Sequence, residues 1–201
     1  MITIQCSPGA EMQILPGIPC WSNRMAATPT TYIYSQTIPM TKTEWIAALG
    51  LQPHIEGGYF RRTYQSENRI RIDHRHNRHL LTSIFYLLTD DSPVGYFHKN
   101  TSDIIHYYHA GAPLTYWIIP PDGNLYTYQL GPEVANGQKL QLLVEGGCWK
   151  ATILERGEYS LLSEAVAPGF DYRDMEIATA TVMQQKFPRL WPQIALYVKE
   201  S

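Results

Sequence analysis

The stretch from Gly95 to Gly111, GYFHKNTSDIIHYYHAG, carries His98, His106 and His109, three of the chain's seven histidines. Imidazole titrates near neutral pH and is the commonest side-chain ligand for zinc, iron and copper, so the stretch presents two chemistries, metal binding and proton transfer. A second cluster, His74, His76 and His79 in DHRHNRH, also has the HxH pattern. It sits in a strongly basic run, and we read it as a surface cluster. Glu164 stands in LLSEAVA with Leu162 and Val166 on its own face. A carboxylate there is either paired inside or solvated on an exposed sheet face. Glu56 and Arg61 flank Gly57 and Gly58 in HIEGGYFRR, where a tight glycine turn can deliver both to one place, for a ligand or as a structural ion pair.

The elements that must position these groups are strands. YFRRTY, LLTSIFYLL, IIHYYH, LTYWII, LYTYQL, LQLLVE, WKATIL and YSLLSEAVA are rich in aromatic and β-branched residues. DDSPVG, AGAP, PPDGN, GPEVANG, EGG and RGE separate them. With no helical pattern between strands, the rhythm predicts an antiparallel all-β sandwich, jelly roll or barrel. One short helix opens the domain, since TKTE from Thr41 matches a capping box and Gly50 can stop the helix. MQQKFPRLWPQIALYV predicts short C-terminal helical pieces, broken by Pro188 and Pro192. Strand alternation puts Ile104, His106 and Tyr108 on one side and Asp103, Ile105, Tyr107 and His109 on the other.

Composition narrows the function classes. The chain has 201 residues, 44% hydrophobic and 17% charged, with a formal net charge of −2. That composition suits one folded domain and argues against a nucleic-acid binder or a membrane-surface protein. No apolar run approaches the roughly 20 residues of a spanning helix. Arg61 to His79 is a basic exception, read as a solvated loop or an anion site. Cys6, Cys20 and Cys148 form an odd set without CxxC spacing, and the N-terminus lacks a basic start followed by an apolar block, so a cytoplasmic location is expected. The expected organisation is an N-terminal arm over residues 1–38, a barrel domain over 39–178 and a helical tail over 179–201.

Six blocks occur in order: HIEGGYFRRTY, TSIFYLLT, FHKNTSDIIHYYHAGAPL, PPDGNLYTYQLGP, GGCWKA and VAPGFDYRDME. Together they resemble the cupin 5 family, over roughly residues 41 to 178. The resemblance implies a double-stranded β-helix, the cupin jelly-roll barrel, as a homodimer with a pocket at the barrel mouth. The metal pattern of cupins at large, His-x-His, then Glu, then a later His, falls here on His98, Asn100, Ile104 and Lys150. Neither a hydrocarbon nor an ammonium can ligate, so no metal and no other cofactor is expected. Relatives in the resembled family usually keep Glu where Ile104 stands.

The cupin register places position 104 inward, and with it His106, while Tyr96, His98 and Asn100 would line the neighbouring strand and His109 would face away. Lys150, at the ligand position, would need a carboxylate or an anion beside it, and Glu164 is the candidate. Tyr59, Tyr86, Trp117, Trp149 and Phe170 would supply apolar walls, with Tyr108 and Asn100 adding polar contacts. Two functions fit. The first is a metal-independent enzyme acting on a small organic molecule by proton transfer, as isomerase, epimerase, dehydratase or cyclase, with His98 or His106 as base, Glu164 or a tyrosine as acid, and Lys150 steadying negative charge. The second is a small-molecule-binding module without chemistry. Convergence of two titratable groups on the pocket floor discriminates them.

Overall fold

The computed structural model describes residues 40–72 and 77–200. The expectations placed on the N-terminal arm, Cys6, Cys20, His74 and His76 lie outside the described residues. The described chain falls in a unit that begins at Pro39. Helix α1 (Lys42–Leu49) starts where the sequence says. Thr41 accepts from the Glu44 backbone, Glu44 reaches back to the Thr41 N–H, and Gly50 closes the helix in the left-handed conformation.

The strands follow as β1 (Gln52–Pro53), β2 (Tyr59–Gln65), β3 (Arg69–Arg71), β4 (Asn77–His79), β5 (Thr82–Thr89), β6 (Val94–Asn100) and β7 (Asp103–Gly111). After these come β8 (Leu114–Ile119), β9 (Tyr126–Leu130), β10 (Gln141–Val144), β11 (Trp149–Ile153), β12 (Tyr159–Ala167) and β13 (Met175–Ile177). Helices α2 (Ala180–Lys186) and α3 (Trp191–Ile194) end the chain, the second with Pro192 in its first turn. Six strands form one sheet in the order β1-β2-β5-β12-β7-β10, and five form the facing sheet in the order β13-β6-β11-β8-β9. Strand pairs within both are antiparallel. This is the cupin β-sandwich, with short helices at the termini.

β6 is the neighbouring strand that the cupin register implies for Tyr96, His98 and Asn100, whereas β1, β13 and the β3–β4 pair were not among the expected segments. The β3–β4 pair and the end of β2 occupy much of the basic run expected to be a solvated loop. Arg78 is buried there against Asp174, with Nη2 to Oδ1 at 2.6 Å. His79 Nδ1 donates to Ser66 O at 2.6 Å, and its Nε2 meets Arg69 at 3.1 Å.

Alternation divides each strand between two environments. Between the sheets, Tyr86, Leu88, Leu114, Tyr116, Ile118, Leu130 and Leu162 fill one part of the interior with apolar side chains. Farther along the same strands the inward positions turn polar: Thr82 on β5, His98 and Asn100 on β6, Glu164 on β12. The outer face of the six-stranded sheet packs Leu87, Tyr159 and Leu161 under α1. The outer face of the five-stranded sheet packs Phe97, Trp149 and Ala151 under Met183 and Ile194 of the C-terminal helices.

Candidate functional site

The interior's polar end contains two linked groups of side chains. The first comes from the β1–β2 loop and β6. That loop is pinned by the Tyr96 N–H donating to Glu56 O at 2.7 Å and by Tyr86 Oη donating to Gly57 O at 2.8 Å. Gly57 has φ 99°, and a Cβ there would lie 2.0 Å from Val94 O, so no larger residue fits that approach. The pinned turn sets Glu56 Oε2 3.2 Å from His98 Nε2 and 3.5 Å from His54 Nδ1. His98 Nδ1 stands 2.8 Å from Tyr96 O, a carbonyl that can only accept. Nδ1 therefore carries the proton in the neutral ring, and the Nε2 lone pair faces Glu56.

Burial, which disfavours charge, dominates both partners. It pushes the Glu56 carboxyl up to about 8, with the Lys150 ammonium opposing, and holds the His98 imidazole well below its ordinary range. His54, also chiefly through burial, is lowered to about 4. At neutral pH the geometry is thus a carboxylic acid facing an imidazole lone pair, with one proton between Oε2 and Nε2.

The second group joins β7, β11 and β12. Register pairs Glu164 with His106 across β12 and β7. Lys150 Nζ lies 3.5 Å from Glu164 Oε1 and 3.4 Å from His106 Nε2. His106 Nδ1 is 3.1 Å from the same oxygen, but it makes no aligned hydrogen bond. Proximity there is electrostatic rather than a formed bond. Burial lowers His106 to about 4, and Lys150 adds to the effect. For Glu164, burial pushes upward, yet Lys150 and then His106 outweigh it and hold the carboxyl well below the usual carboxylate range. The group is therefore an ammonium–carboxylate pair beside a neutral imidazole, which settles Glu164 as paired inside.

A cavity of about 30 Å³ opens between these groups, lined at the floor by His54, Glu56, His98, Asn100 and Glu164. Phe60, Ile84, Ile104 and Val166 supply its apolar walls, with Arg62, Phe170 and Tyr172 at the partly open rim. Asn100 is 7% exposed and its Oδ1 has no partner.

Of the residues singled out from sequence, Glu56, His98, Asn100, Glu164 and Phe170 line this cavity. His106 and Lys150 stand behind Glu164 as its anchors. The others lie elsewhere: Tyr86 and Tyr108 stay in the apolar part of the interior, and the rest are turned outward by the pleat or a bulge. Arg61 faces outward, donating to Leu49 O at 2.8 Å, because Arg62 takes the inward place opposite Ile84. Tyr59 packs under α1 on the outer face. Trp149 lies outside because its neighbour Lys150 lies inside, and Trp117 packs outside against Tyr197. Tyr96 is turned away by a bulge, since Lys150 pairs with His98 but Thr152 pairs with Gly95, leaving Tyr96 and Phe97 opposite one residue. Tyr86 is buried with its hydroxyl on Gly57 O, and Tyr108 gives its hydroxyl to Gly111 O at 2.6 Å. His109 is exposed and meets only the Phe85 ring edge-on. Sequence reading missed His54, Phe60, Arg62 and Tyr172. Their signal was adjacency: His54 opens the HIEGGYF block two residues before Glu56, and Arg62 is on the face that Arg61 is not.

The four positions selected by the cupin metal pattern do not fit a metal. Ile104 offers hydrocarbon, Lys150 is committed to Glu164, and only His98 and the Asn100 amide remain. The neighbouring His54 has its Nδ1 facing the Glu56 N–H at 3.4 Å. Among the described residues no three His, Cys, Asp or Glu side chains are arranged to hold an ion.

Residues 43–178 match the model of the family described as Cupin superfamily (DUF985). The uncharacterized protein YML079W of Saccharomyces cerevisiae is 38% identical over 135 residues, 60% of this chain and 67% of that one. Among solved structures, a hypothetical protein from Leishmania major is 32% identical with TM-score 0.76, covering 80% of this chain and all of that one. Protein SO0799 of Shewanella oneidensis is 32% identical with TM-score 0.74, over 81% of this chain and all of its own. With both sheets, the barrel-end cavity and two thirds of the chain accounted for, this protein belongs to the cupin 5 family.

Proposed function

We propose that the protein is a metal-independent enzyme that moves protons on a small organic molecule, with Glu56 and His98 as the acid–base pair. The observation that carries this reading is the 3.2 Å contact between Glu56 Oε2 and His98 Nε2 at the wall of a cavity. One proton is shared by two groups of unlike charge type. Such a pair can give a proton to one substrate atom and take one from another, which isomerisation, epimerisation, dehydration and cyclisation all require. Glu164 supports it differently. Its carboxylate faces the same cavity, and two carboxyls whose environments push them in opposite directions divide into an acid and a fixed charge. Glu164 then accepts a hydrogen bond from a substrate hydroxyl, while Lys150 and His106 act through it as positioning residues. A homodimer in the cytoplasm, expected from the resemblance and the thiols, completes the proposal.

The test is proton exchange rather than a guessed turnover. Small aldoses, ketoses, 2-keto acids and 2-hydroxy acids are incubated with the protein in D2O and followed by proton NMR. At least one compound should lose a carbon-bound proton signal, and Glu56→Gln should slow that loss by about 100-fold or more. The rate should change with pH around 8, where Glu56 titrates. Compounds that bind without any exchange would instead identify a binding module.

A further inference from the structure

The rim of the cavity bears a charge that the acid–base pair does not need. Thr63 is the extra residue of a bulge in β2, where Arg62 pairs with Ile84 and Tyr64 with Ser83. Arg62, before the bulge, shares the inner face with Phe60 by plain alternation and reaches the cavity mouth. Its guanidinium lies 5.9 Å from the Phe170 ring centroid, and Nη1 donates to Gln65 Oε1 at 2.9 Å. A guanidinium has five N–H donors in a planar fork, so most of its capacity is left for a planar anion. Among the described residues Arg62 joins no ion pair.

The other lining charges compensate one another. Lys150 is matched by Glu164 at 3.5 Å, and burial keeps His54, His98 and His106 neutral and Glu56 protonated. Seen from the mouth, the Arg62 cation is what remains, and it favours an anionic group there. A second observation points deeper. Asn100 Oδ1 is buried in the cavity wall without a partner, and a buried acceptor left unmet is costly. A ligand hydroxyl both donates and accepts, so it satisfies the carboxamide whichever way the amide is turned. Size gives the third constraint. The cavity of about 30 Å³ is far below the several hundred of a nucleotide-sized pocket, and its partly open rim lets a small ligand leave its charged end at the mouth.

We propose that the ligand is a compact 2-hydroxy acid of about three or four carbons, its carboxylate held by Arg62 at the mouth, its hydroxyl by Asn100, and its carbon chain against Phe60 and Phe170. This deepens, and rests on, the acid–base reading, because the carbon that carries the hydroxyl is the one presented to Glu56 and His98.

Binding measured by isothermal titration tests it without requiring turnover. The probes are D-glycerate, propionate, which lacks the hydroxyls, and glycerol, which lacks the carboxylate. The wild-type protein should bind glycerate at least about tenfold more tightly than either of the others. Arg62→Gln, on an exposed side chain, should erase the preference over glycerol, and Asn100→Leu the preference over propionate. Equal affinity for glycerate and glycerol in the wild type, no glycerate binding at millimolar concentration, or an unchanged preference in Arg62→Gln would overturn the proposal. The wild-type comparison stands even if Asn100→Leu fails to fold. Glycerate preference without proton exchange would defeat the acid–base reading alone. Exchange on neutral sugars without glycerate preference would defeat this inference alone.

Discussion

Lys150, Glu164 and His106 share one buried volume, and their energetics follow from what each would be without the others. The ammonium is 3.5 Å from the carboxylate, with both side chains largely inside the barrel. Removing one partner of such a pair leaves the other charged and desolvated, a loss of about 3–5 kcal/mol, whereas replacing both by hydrocarbon is often neutral. Lys150→Met should therefore destabilise the fold by roughly that amount in urea denaturation at pH 7. Adding Glu164→Leu should recover most of it. A single variant within about 0.5 kcal/mol of wild type would mean that the pair contributes no net stability. His106 is the reporter in this experiment. Burial and Lys150 together hold it down, so its NMR titration should move upward in Lys150→Met, where the nearest charge becomes the Glu164 carboxylate.

At the scale of elements, the C-terminal helices are a wall of the barrel's outer layer. Met183 and Ile194 are fully buried against Phe97, Trp149 and Ala151 of the five-stranded sheet. Ile194→Ala should cost about 2–5 kcal/mol in thermal or urea unfolding while leaving proton exchange at Glu56 intact, because the two lie on opposite faces of that sheet. Sequence reading found these helical pieces from Pro188 and Pro192 but could not see what they cover. Without that cover in view, Trp117 and Trp149 read equally well as pocket walls or as outer-layer packing, since a bulky ring suits either face. Alternation was the missing constraint, since Trp149 and Lys150 are adjacent on one strand and cannot both face inward. The same rule separates Arg61 from Arg62. Tyr96 was beyond it, because the bulge that turns β6 exists only in the pairing with β11. The antiparallel β character and the two caps of α1 were legible because short-range chemistry alone specifies them.

For the whole molecule, the buried titratable groups predict a stability optimum whose position can be worked out. In the unfolded chain His54, His98 and His106 titrate near 6.5, but in the fold His54 and His106 stay neutral to about 4 and burial holds His98 well below its ordinary range. As pH falls below 6.5 the unfolded state takes up protons that the folded state refuses, so stability is lost on the acid side. Glu56 acts in the opposite sense. Its folded carboxyl keeps a proton up to about 8, whereas the unfolded one releases it near 4.5. Between those values the fold binds the extra proton, and stability declines as pH rises, by at most about 1.4 kcal/mol per unit. From 4.5 to 6.5 three histidines outweigh one carboxyl, and above 6.5 the carboxyl acts alone. Glu164 adds to the acid limb, being ionised in the fold where its unfolded counterpart protonates near 4.5. The melting temperature should therefore rise to a maximum near pH 6.5, then fall until about pH 8. Glu56→Gln should abolish the fall above 6.5 and leave a plateau, because among the described residues Glu56 is the buried carboxyl whose shift opposes the histidines. Scanning calorimetry of both proteins from pH 4 to 9 makes the comparison. Superimposable curves between 6.5 and 8 would show that Glu56 titrates as an ordinary carboxyl, and the proton placed between Glu56 and His98 would then be absent at neutral pH.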